Sequence, residues 1–182
     1  MNKTISVFGS SKPREGDPDY KIALELGRAL AHAGFTLCNG GYGGIMEASA
    51  RGAKEGNGRT VGITVEAFTR TANKWIDAEV RAKSLAERIG KLVDSADGYV
   101  ILRGGTGTLL ELAYVWEFIN KRLIPEKPVV LLGPFWNDLV EILRKESVKE
   151  GVGDPSPFIV QVETPQECAE VLRAKLLAGS SE

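Results

Sequence analysis

Hydrophobic positions along the chain follow two different spacings. Short runs in which nearly every residue is apolar or small predict buried strands, and longer runs with apolar residues three or four positions apart predict amphipathic helices. The predicted strands cover residues 5–8, 35–38, 60–65, 98–102, 128–132 and 157–160. The predicted helices cover residues 20–33, 45–55, 78–95, 108–121, 136–149 and 165–177. Residues 66–77 show no clear period, so no element is predicted there.

This order of elements predicts an α/β fold. Strands that are apolar throughout and are separated by amphipathic helices are typical of a parallel sheet covered on both faces. We therefore expect a Rossmann-like, doubly wound parallel sheet flanked by helices. No linker-like or low-complexity segment interrupts the series, and a chain of 182 residues can build one full core. Residues 1–182 are accordingly expected to form a single domain.

The charge balance restricts the class of ligand. The chain has 23 Lys and Arg residues against 24 Asp and Glu residues, which gives a formal net charge of −1. Proteins that hold a nucleic-acid polymer usually present an excess of positive charge to its phosphates. A nucleic-acid polymer is therefore disfavoured as a partner, and so is a DNA-processing role. A pocket that captures one or two phosphate groups remains compatible with this balance.

Cysteine usage and hydropathy predict a cytoplasmic protein. Cys38 and Cys168 lie far apart in apolar-rich stretches, which favours two reduced thiols over a disulfide framework. The first apolar stretch, residues 5–8, is too short for the core of a signal peptide. No segment approaches the roughly 20 apolar residues of a membrane span, so we expect no membrane contact.

Three glycine-rich turns follow predicted strands and carry the candidate binding residues. The carboxyl ends of parallel strands share one edge of the sheet, and glycine there lets the backbone approach a ligand closely. The helix that begins after such a turn attracts an anion to its free N–H groups. The candidate residues are Gly9, Ser10, Ser11, Gly40, Gly41, Gly43, Gly44, Arg103, Gly104, Gly105, Thr106, Gly107 and Thr108. Three such turns at one edge favour a phosphorylated, nucleotide-like ligand.

The standard nucleotide fingerprints are absent from these turns. The chain has no Gly-X4-Gly-Lys-Ser/Thr loop, which disfavours a Walker-type NTPase. The turn after the first strand lacks the Gly-X-Gly-X-X-Gly spacing of dinucleotide-dependent enzymes, which disfavours hydride transfer. We predict neither a cofactor nor a metal site.

Glu111 adds a carboxylate to the third turn. If Thr108 is the first helical residue, Glu111 lies within the first turn and can reach a ligand held by the loop. The same spacing fits a capping box, in which the Glu111 carboxylate accepts a hydrogen bond from the Thr108 N–H. Spacing alone does not separate the capping role from a catalytic one.

Residues 104–111, GGTGTLLE, match the Gly-Gly-X-Gly-Thr-X-X-Glu signature of the LOG family of cytokinin riboside 5′-monophosphate phosphoribohydrolases. Residues 7–11 and 40–46 also resemble the first two glycine turns of that family, so the resemblance covers most of residues 4–121. It implies hydrolysis of the N-glycosidic bond of a nucleoside 5′-monophosphate, AMP or N6-substituted AMP, to free base and ribose 5-phosphate. It also implies that Glu111 and Arg88 are catalytic and that a homodimer forms through the helix at 108–121.

Two departures from the family pattern keep an alternative open. Arg103 stands where the family usually has proline, and Ile89 follows Arg88 where the family usually has lysine. Arg103 fits either an extra phosphate contact or a solvated charge at a strand end. Arg88 without the resemblance would be read as a solvated charge on a helix. The alternative function is a non-catalytic carrier that binds a nucleotide or a molybdenum cofactor on the same fold.

Family members are also often labelled as possible lysine decarboxylases, and the sequence argues against that activity. Pyridoxal phosphate enzymes need a Schiff-base lysine with groups that support the ring, and no such constellation is recognisable. His32, the only histidine, ends a predicted helix and is expected to be a helix-end or surface residue rather than a catalytic base.

Overall fold

The computed structural model describes residues 2–151 and 153–177. These residues form a parallel sheet with helices on both faces. The strands are β1 (Thr4–Phe8), β2 (Thr36–Asn39), β3 (Thr60–Val65), β4 (Ala78–Ala82), β5 (Gly98–Ile101), β6 (Val129–Leu132) and β7 (Ile159–Val162). The helices are α1 (Pro18–His32), α2 (Ile45–Glu55), α3 (Leu85–Asp94), α4 (Thr106–Asn120), α5 (Asn137–Lys149) and α6 (Pro165–Leu177). A short 3₁₀ turn, Pro134–Trp136, precedes α5.

The sheet is doubly wound. Its strands follow the order β4-β3-β2-β1-β5-β6-β7, and every neighbouring pair is parallel. Helices α1, α2 and α6 contribute to one buried cluster, and α3, α4 and α5 contribute to the other, so each face of the sheet is covered. The expected Rossmann-like α/β fold is confirmed. The strand order reverses between β1 and β5, which opens a crevice at their carboxyl ends where such folds bind ligands.

Burial on both faces explains the apolar strands. All four residues of β6, Val-Val-Leu-Leu, are buried, as are the four residues of β5. Cys38 on β2 and Cys168 on α6 are buried free thiols, as the sequence predicts. In the part of the chain that the structure describes, no helix is both long enough and apolar enough to span a bilayer. The single domain stays a prediction for the whole chain, because Met1, Val152 and residues 178–182 lie outside the described residues.

The predicted helix at 78–95 is wrong in its first part. Ala78–Ala82 form strand β4, which pairs with β3 from Val61↔Ala78 to Val65↔Ala82. Pairing with β3 overrides the helical reading of this charged stretch. Helix α3 begins only after Ser84, whose side chain accepts a hydrogen bond from the Glu87 N–H at 3.2 Å.

Smaller differences concern the ends of elements. Leu85 is 52% exposed because it is the first residue of α3, whereas Ile89, Leu92 and Val93 form the buried face of that helix. The predicted strand at 157–160 lies two residues further on, as β7. Helix α4 begins at Thr106 rather than at Thr108, which changes the position of Glu111 within it.

Candidate active site

A cavity of about 370 Å³ lies at the carboxyl end of the sheet and contains both predicted catalytic residues. It is bounded by the turn after β1, the start of α2, the loop after β3, helix α3 and the start of α4. The residues that line it are Gly9, Ser10, Ser11, Lys12, Tyr42, Met46, Phe68, Arg70, Arg88, Gly105, Thr106, Gly107, Thr108 and Glu111. The fold thus brings the first and third glycine turns together with Arg88 and Glu111.

The turn after β1 connects the other two turns. The Ser10 N–H donates to the Arg103 carbonyl at 3.1 Å, and the Ser10 carbonyl accepts a hydrogen bond from the Ile45 N–H at 2.9 Å. Gly9 is required for this close approach, because a Cβ there would lie 2.7 Å from Cγ2 of Ile45. The first turn therefore occupies a fixed position between α2 and the end of β5.

The third turn presents the start of α4 to the cavity. The N–H of Leu109 bonds to the Gly105 carbonyl at 3.0 Å, so the N–H groups of Thr106, Gly107 and Thr108 precede that first helical bond. A Cβ on Gly105 or Gly107 would meet no atom within 4 Å. These two glycines are therefore not needed for packing, and they leave open space beside a helix start that attracts anions.

The glycines of the second turn are placed differently from those of the first and third turns. Gly40, Gly41, Gly43 and Gly44 do not line the cavity. A Cβ on Gly40 would lie 1.7 Å from Nη2 of Arg88, and a Cβ on Gly44, at φ +70°, would lie 2.4 Å from the Ser10 carbonyl oxygen. The first N–H of α2, that of Ile45, already donates to Ser10. Gly40 and Gly44 therefore allow close packing around the site, whereas a Cβ on Gly43 would meet only Oε2 of Glu47, at 3.9 Å.

The Arg88 guanidinium is fixed by contacts within the protein and is not a freely solvated charge. Its Nε donates to the Ile63 carbonyl at 2.7 Å, and its Nη2 donates to the Gly40 carbonyl at 3.2 Å. Its guanidinium carbon lies 5.5 Å from the centre of the Tyr42 ring. Backbone acceptors and an aromatic face thus fix a half-buried positive charge at the wall of the cavity.

Glu111 lies in the second turn of α4. A capping box joins the N-cap to the third helical residue, and these are Gly105 and Thr108, so the alternative of a Thr108–Glu111 capping box is excluded. The half-buried Glu111 carboxyl instead lines the cavity. Burial raises its pKa to about 7, and the positive charge of Arg88 acts in the opposite direction with a smaller effect. Near neutral pH both protonation states are populated.

Arg103 and Gly104 lie outside this cavity. The guanidinium carbon of Arg103 is 5.0 Å from the centre of the exposed Phe135 ring, and both residues line a neighbouring cavity of about 660 Å³. A Cβ on Gly104 would lie 2.1 Å from Oγ1 of Thr108, so this glycine makes room for a buried threonine. Ser10 and Lys12 line both cavities.

Five residues that line the cavity are missing from the sequence prediction. They are Lys12, Tyr42, Met46, Phe68 and Arg70. Lys12 directly follows the first turn, so its position is itself a usable signal. Phe68 and Arg70 belong to the segment without periodicity, and only its place after a strand indicates that it lies at the carboxyl edge. Within residues 2–151 and 153–177, no group of three or more His, Cys, Asp or Glu side chains could hold a metal ion.

Comparison with known proteins places the chain in a family. The model of the SLOG cluster4 family matches residues 2–169. The chain belongs to the SLOG cluster4 family. Among its relatives, a cytokinin riboside 5′-monophosphate phosphoribohydrolase of Mycobacterium tuberculosis is 29% identical over 137 residues, which cover 72% of this chain and 71% of the relative. One of the same name from Rhodococcoides fascians is 29% identical over 155 residues, or 81% of this chain and 77% of the relative. The resemblance to the LOG family is thus confirmed.

A solved structure of a protein with a different printed role is also similar to this family member. The molybdenum cofactor binding protein of Rippkaea orientalis is 26% identical, with a TM-score of 0.75. The match covers 97% of this chain and 98% of that one. Both functions named in the sequence analysis are therefore found among proteins similar to this chain.

Proposed function

We propose that this protein hydrolyses the N-glycosidic bond of a nucleoside 5′-monophosphate, AMP or an N6-substituted AMP, to free base and ribose 5-phosphate. The observation that carries the proposal is the Glu111 carboxyl, with a pKa of about 7, in one cavity with the fixed Arg88 and the open start of α4. The two relatives named as phosphoribohydrolases support the substrate class.

Glu111 is the proposed general base. As the bond between C1′ and the base breaks, the bonding electrons leave with the base and the sugar gains oxocarbenium character. The Glu111 carboxylate stabilises that charge and takes a proton from the water that adds to C1′. The proton then passes to the departing base, so Glu111 returns to its starting state and one water is consumed for each bond broken. A pKa near neutrality suits a group that both accepts and returns a proton.

Arg88 is proposed to keep Glu111 functional and to position the sugar. Its positive charge lowers the pKa of Glu111 against the effect of burial, which maintains a population of carboxylate at neutral pH. Since its Nε and Nη2 are already bonded to backbone carbonyls, the guanidinium is oriented before a ligand arrives. Such preorganised charge contributes to catalysis without further rearrangement.

The 5′-phosphate is proposed to bind at the start of α4. The N–H groups of Thr106, Gly107 and Thr108 lie at the N-terminal end of α4, where an anion can accept hydrogen bonds from them. Ser10 and Ser11 line the same cavity. Binding of the phosphate, which does not react, then positions the sugar beside Glu111. We assign Gly40 and Gly44 a supporting role through Arg88 and Ser10, and Gly41 a supporting role through Thr64. Arg103 and Gly104 are assigned to the neighbouring cavity.

The test is release of free base from AMP and other nucleoside monophosphates, measured by chromatography. Because general acid–base catalysis contributes about 10²–10⁴-fold, Glu111→Gln is expected to lower kcat by at least about 100-fold. Arg88→Ala should also lose most activity. Glu170→Gln, the same change on an exposed part of α6, is the control and should leave kcat unchanged. Wild-type base release by Glu111→Gln would refute the assignment.

A carrier that binds its ligand without cleaving it is the second candidate. The observation that favours it is the similarity to the molybdenum cofactor binding protein of Rippkaea orientalis. The two functions differ in the fate of a bound nucleotide. Tight binding of AMP that is recovered intact after long incubation would support the carrier, whereas accumulation of free adenine supports the hydrolase.

We further propose a homodimer through α4. Leu109 and Leu110 on this helix are 37% and 53% exposed, and the rings of Tyr114 and Phe118 stack with centroids 3.9 Å apart. Exposed apolar side chains next to a ligand cavity favour a protein partner. Light scattering at micromolar concentration should give twice the chain mass, and Leu110→Glu should give the monomer. A wild-type monomer would contradict this proposal.

The cytoplasm is the proposed location. Cys38 and Cys168 are buried free thiols, as expected in a reducing compartment. Fractionation of cells that express the full chain would test this, and recovery from the medium or from a membrane fraction would contradict it.

A further inference from the structure

The cavity carries an excess of positive charge. Lys12, Arg70 and Arg88 line it, and Glu111 is the single carboxyl among its lining residues within the described part of the chain. Three cations against one carboxyl leave the lining with a net charge of at least +2. A phosphate monoester carries about −1.5 to −2 charges at pH 7. The lining therefore complements a phosphate dianion more closely than an uncharged nucleoside.

Arg70 is contributed by a segment, residues 66–73, that is anchored at both ends. At one end the Glu66 N–H donates to the Ala82 carbonyl at 2.8 Å. At the other end the Asn73 N–H donates to the Gly41 carbonyl at 2.7 Å, and the Asn73 side-chain amide donates to the Gly41 and Tyr42 carbonyls at 3.0 and 2.9 Å. These bonds hold the segment, which we call the strap, beside the second glycine turn.

The middle of the strap faces the cavity. Phe68 contacts Tyr42 with ring centroids 5.9 Å apart, and both rings line the cavity together with Arg70. Tyr42 in turn lies under Arg88 and accepts a hydrogen bond from the Val65 N–H at 3.0 Å. The strap is thus packed onto the wall that carries Arg88, which places the exposed Arg70 at the cavity.

The three cations differ in what they can still bind. Arg88 already uses two of its nitrogens on backbone carbonyls. Lys12 carries a point charge with no fixed donor geometry. The Arg70 guanidinium forms no ion pair with any residue in 2–151 or 153–177 and retains the planar fork that binds two phosphate oxygens at once.

We propose that Arg70 binds the 5′-phosphate of the nucleotide, together with the start of α4, and selects a phosphorylated over an unphosphorylated nucleoside. This inference rests on the proposed function, because it assigns the phosphate end of that substrate. Arg70 is a specificity residue that does not touch the reacting bond. Its loss should therefore raise KM for AMP by a larger factor than it lowers kcat.

Binding is measured by calorimetry with AMP and with adenosine, in the Glu111→Gln background so that the ligand stays intact. Arg70→Ala is expected to weaken AMP binding by about 10-fold, the effect of losing one charge-assisted contact at a partly solvated site. Adenosine binding should stay within about twofold, because adenosine has no phosphate. Arg70→Lys should recover only part of the AMP affinity, since lysine lacks the fork.

Arg81→Ala is the matched control. It removes the same charge from an exposed position on β4 that does not line the cavity. This variant should bind AMP like the parent. If Arg81→Ala and Arg70→Ala weaken AMP binding equally, the loss of affinity comes from long-range electrostatics and the proposal is wrong. Equal weakening of AMP and adenosine by Arg70→Ala, or no weakening of AMP, would also overturn it.

Failure of this inference is distinguishable from failure of the proposed function. If wild-type protein releases base but AMP binding does not depend on Arg70, the inference fails and the hydrolase stands. If AMP is never cleaved but its binding depends on Arg70, the hydrolase fails and the phosphate contact stands.

Discussion

Helices α2 and α4 both begin at glycine-rich turns on the same edge of the sheet, yet they differ in what surrounds their first residues. At α2, a Cβ on Gly44 would lie 2.4 Å from the Ser10 carbonyl oxygen, and the Ile45 N–H is bonded to that oxygen. At α4, a Cβ on Gly105 or Gly107 would meet no atom within 4 Å. Gly44 is explained by packing within the protein, and Gly105 and Gly107 are not. A glycine-rich turn is therefore better evidence for a ligand when the protein itself leaves the space beside it empty.

The largest effect on the stability of the protein is expected from Gly44→Ala. The left-handed backbone at φ +70° and the contact with Ser10 both oppose a side chain. We expect the free energy of unfolding to fall by about 2–4 kcal/mol, the combined cost of backbone strain and overpacking. Urea denaturation followed by circular dichroism measures this. A change below about 0.5 kcal/mol would show that α2 does not need its glycine.

Glu111 on α4 makes the stability of the protein depend on pH. The folded pKa of about 7 lies above the ordinary value of 4.5, so the unfolded chain loses this proton first as the pH rises. The contribution of Glu111 to stability is therefore fully present below pH 4.5 and is lost between pH 4.5 and about 7. Its full size is on the order of 3 kcal/mol.

Glu111→Gln should remove the loss of stability that ionisation of Glu111 causes between pH 4.5 and about 7. Relative to wild type, the variant is expected to gain about 3 kcal/mol in the free energy of unfolding between pH 4.5 and pH 8. The measurement is urea denaturation at both pH values, with Glu170→Gln as control. Parallel pH dependence of wild type and Glu111→Gln would contradict the raised pKa. Base release by wild type should rise as the pH passes about 7, because the carboxylate is the proposed active form.

The smallest effect on stability, and the sharpest contrast with Gly44→Ala, is expected from Gly107→Ala. Alanine is favoured over glycine within a helix by up to about 1 kcal/mol, and nothing in the protein opposes its Cβ. The free energy of unfolding should therefore stay the same or rise slightly. AMP affinity should fall, since the added methyl group enters the space assigned to the phosphate. Unchanged AMP affinity would show that the phosphate binds elsewhere.

The sequence predicts the central part of this site because its parts are local. Residues 104–111 form one turn and the start of one helix, so Glu111 is near the turn whatever the rest of the chain does. The placement of Arg88 and Glu111 in one cavity is different, because it depends on how α3 and α4 pack on the same face of the sheet. From the sequence, only the resemblance to the LOG family predicts that Arg88 and Glu111 belong to one site.

The strap and the neighbouring cavity could not be predicted in the same way. Arg70 and Phe68 reach the cavity through the Asn73 bonds to the second turn, and those bonds join residues more than 30 positions apart. The sequence pattern predicts the start of α4 two residues too late. Gly107 lies within the first turn of the helix although glycine is a poor helix former. Arg103 lines the neighbouring cavity and not the one that contains Glu111, and no spacing rule in the sequence distinguishes the two.

Strand β4 was hidden from the hydropathy pattern by the charges that it carries, and those charges have a consequence of their own. It forms one edge of the sheet, and Glu79, Val80 and Arg81 on it are exposed. An open strand edge can recruit a strand from another molecule, and charged side chains there oppose such pairing. The residues that make β4 difficult to recognise in the sequence thus also protect the folded protein from edge-to-edge aggregation.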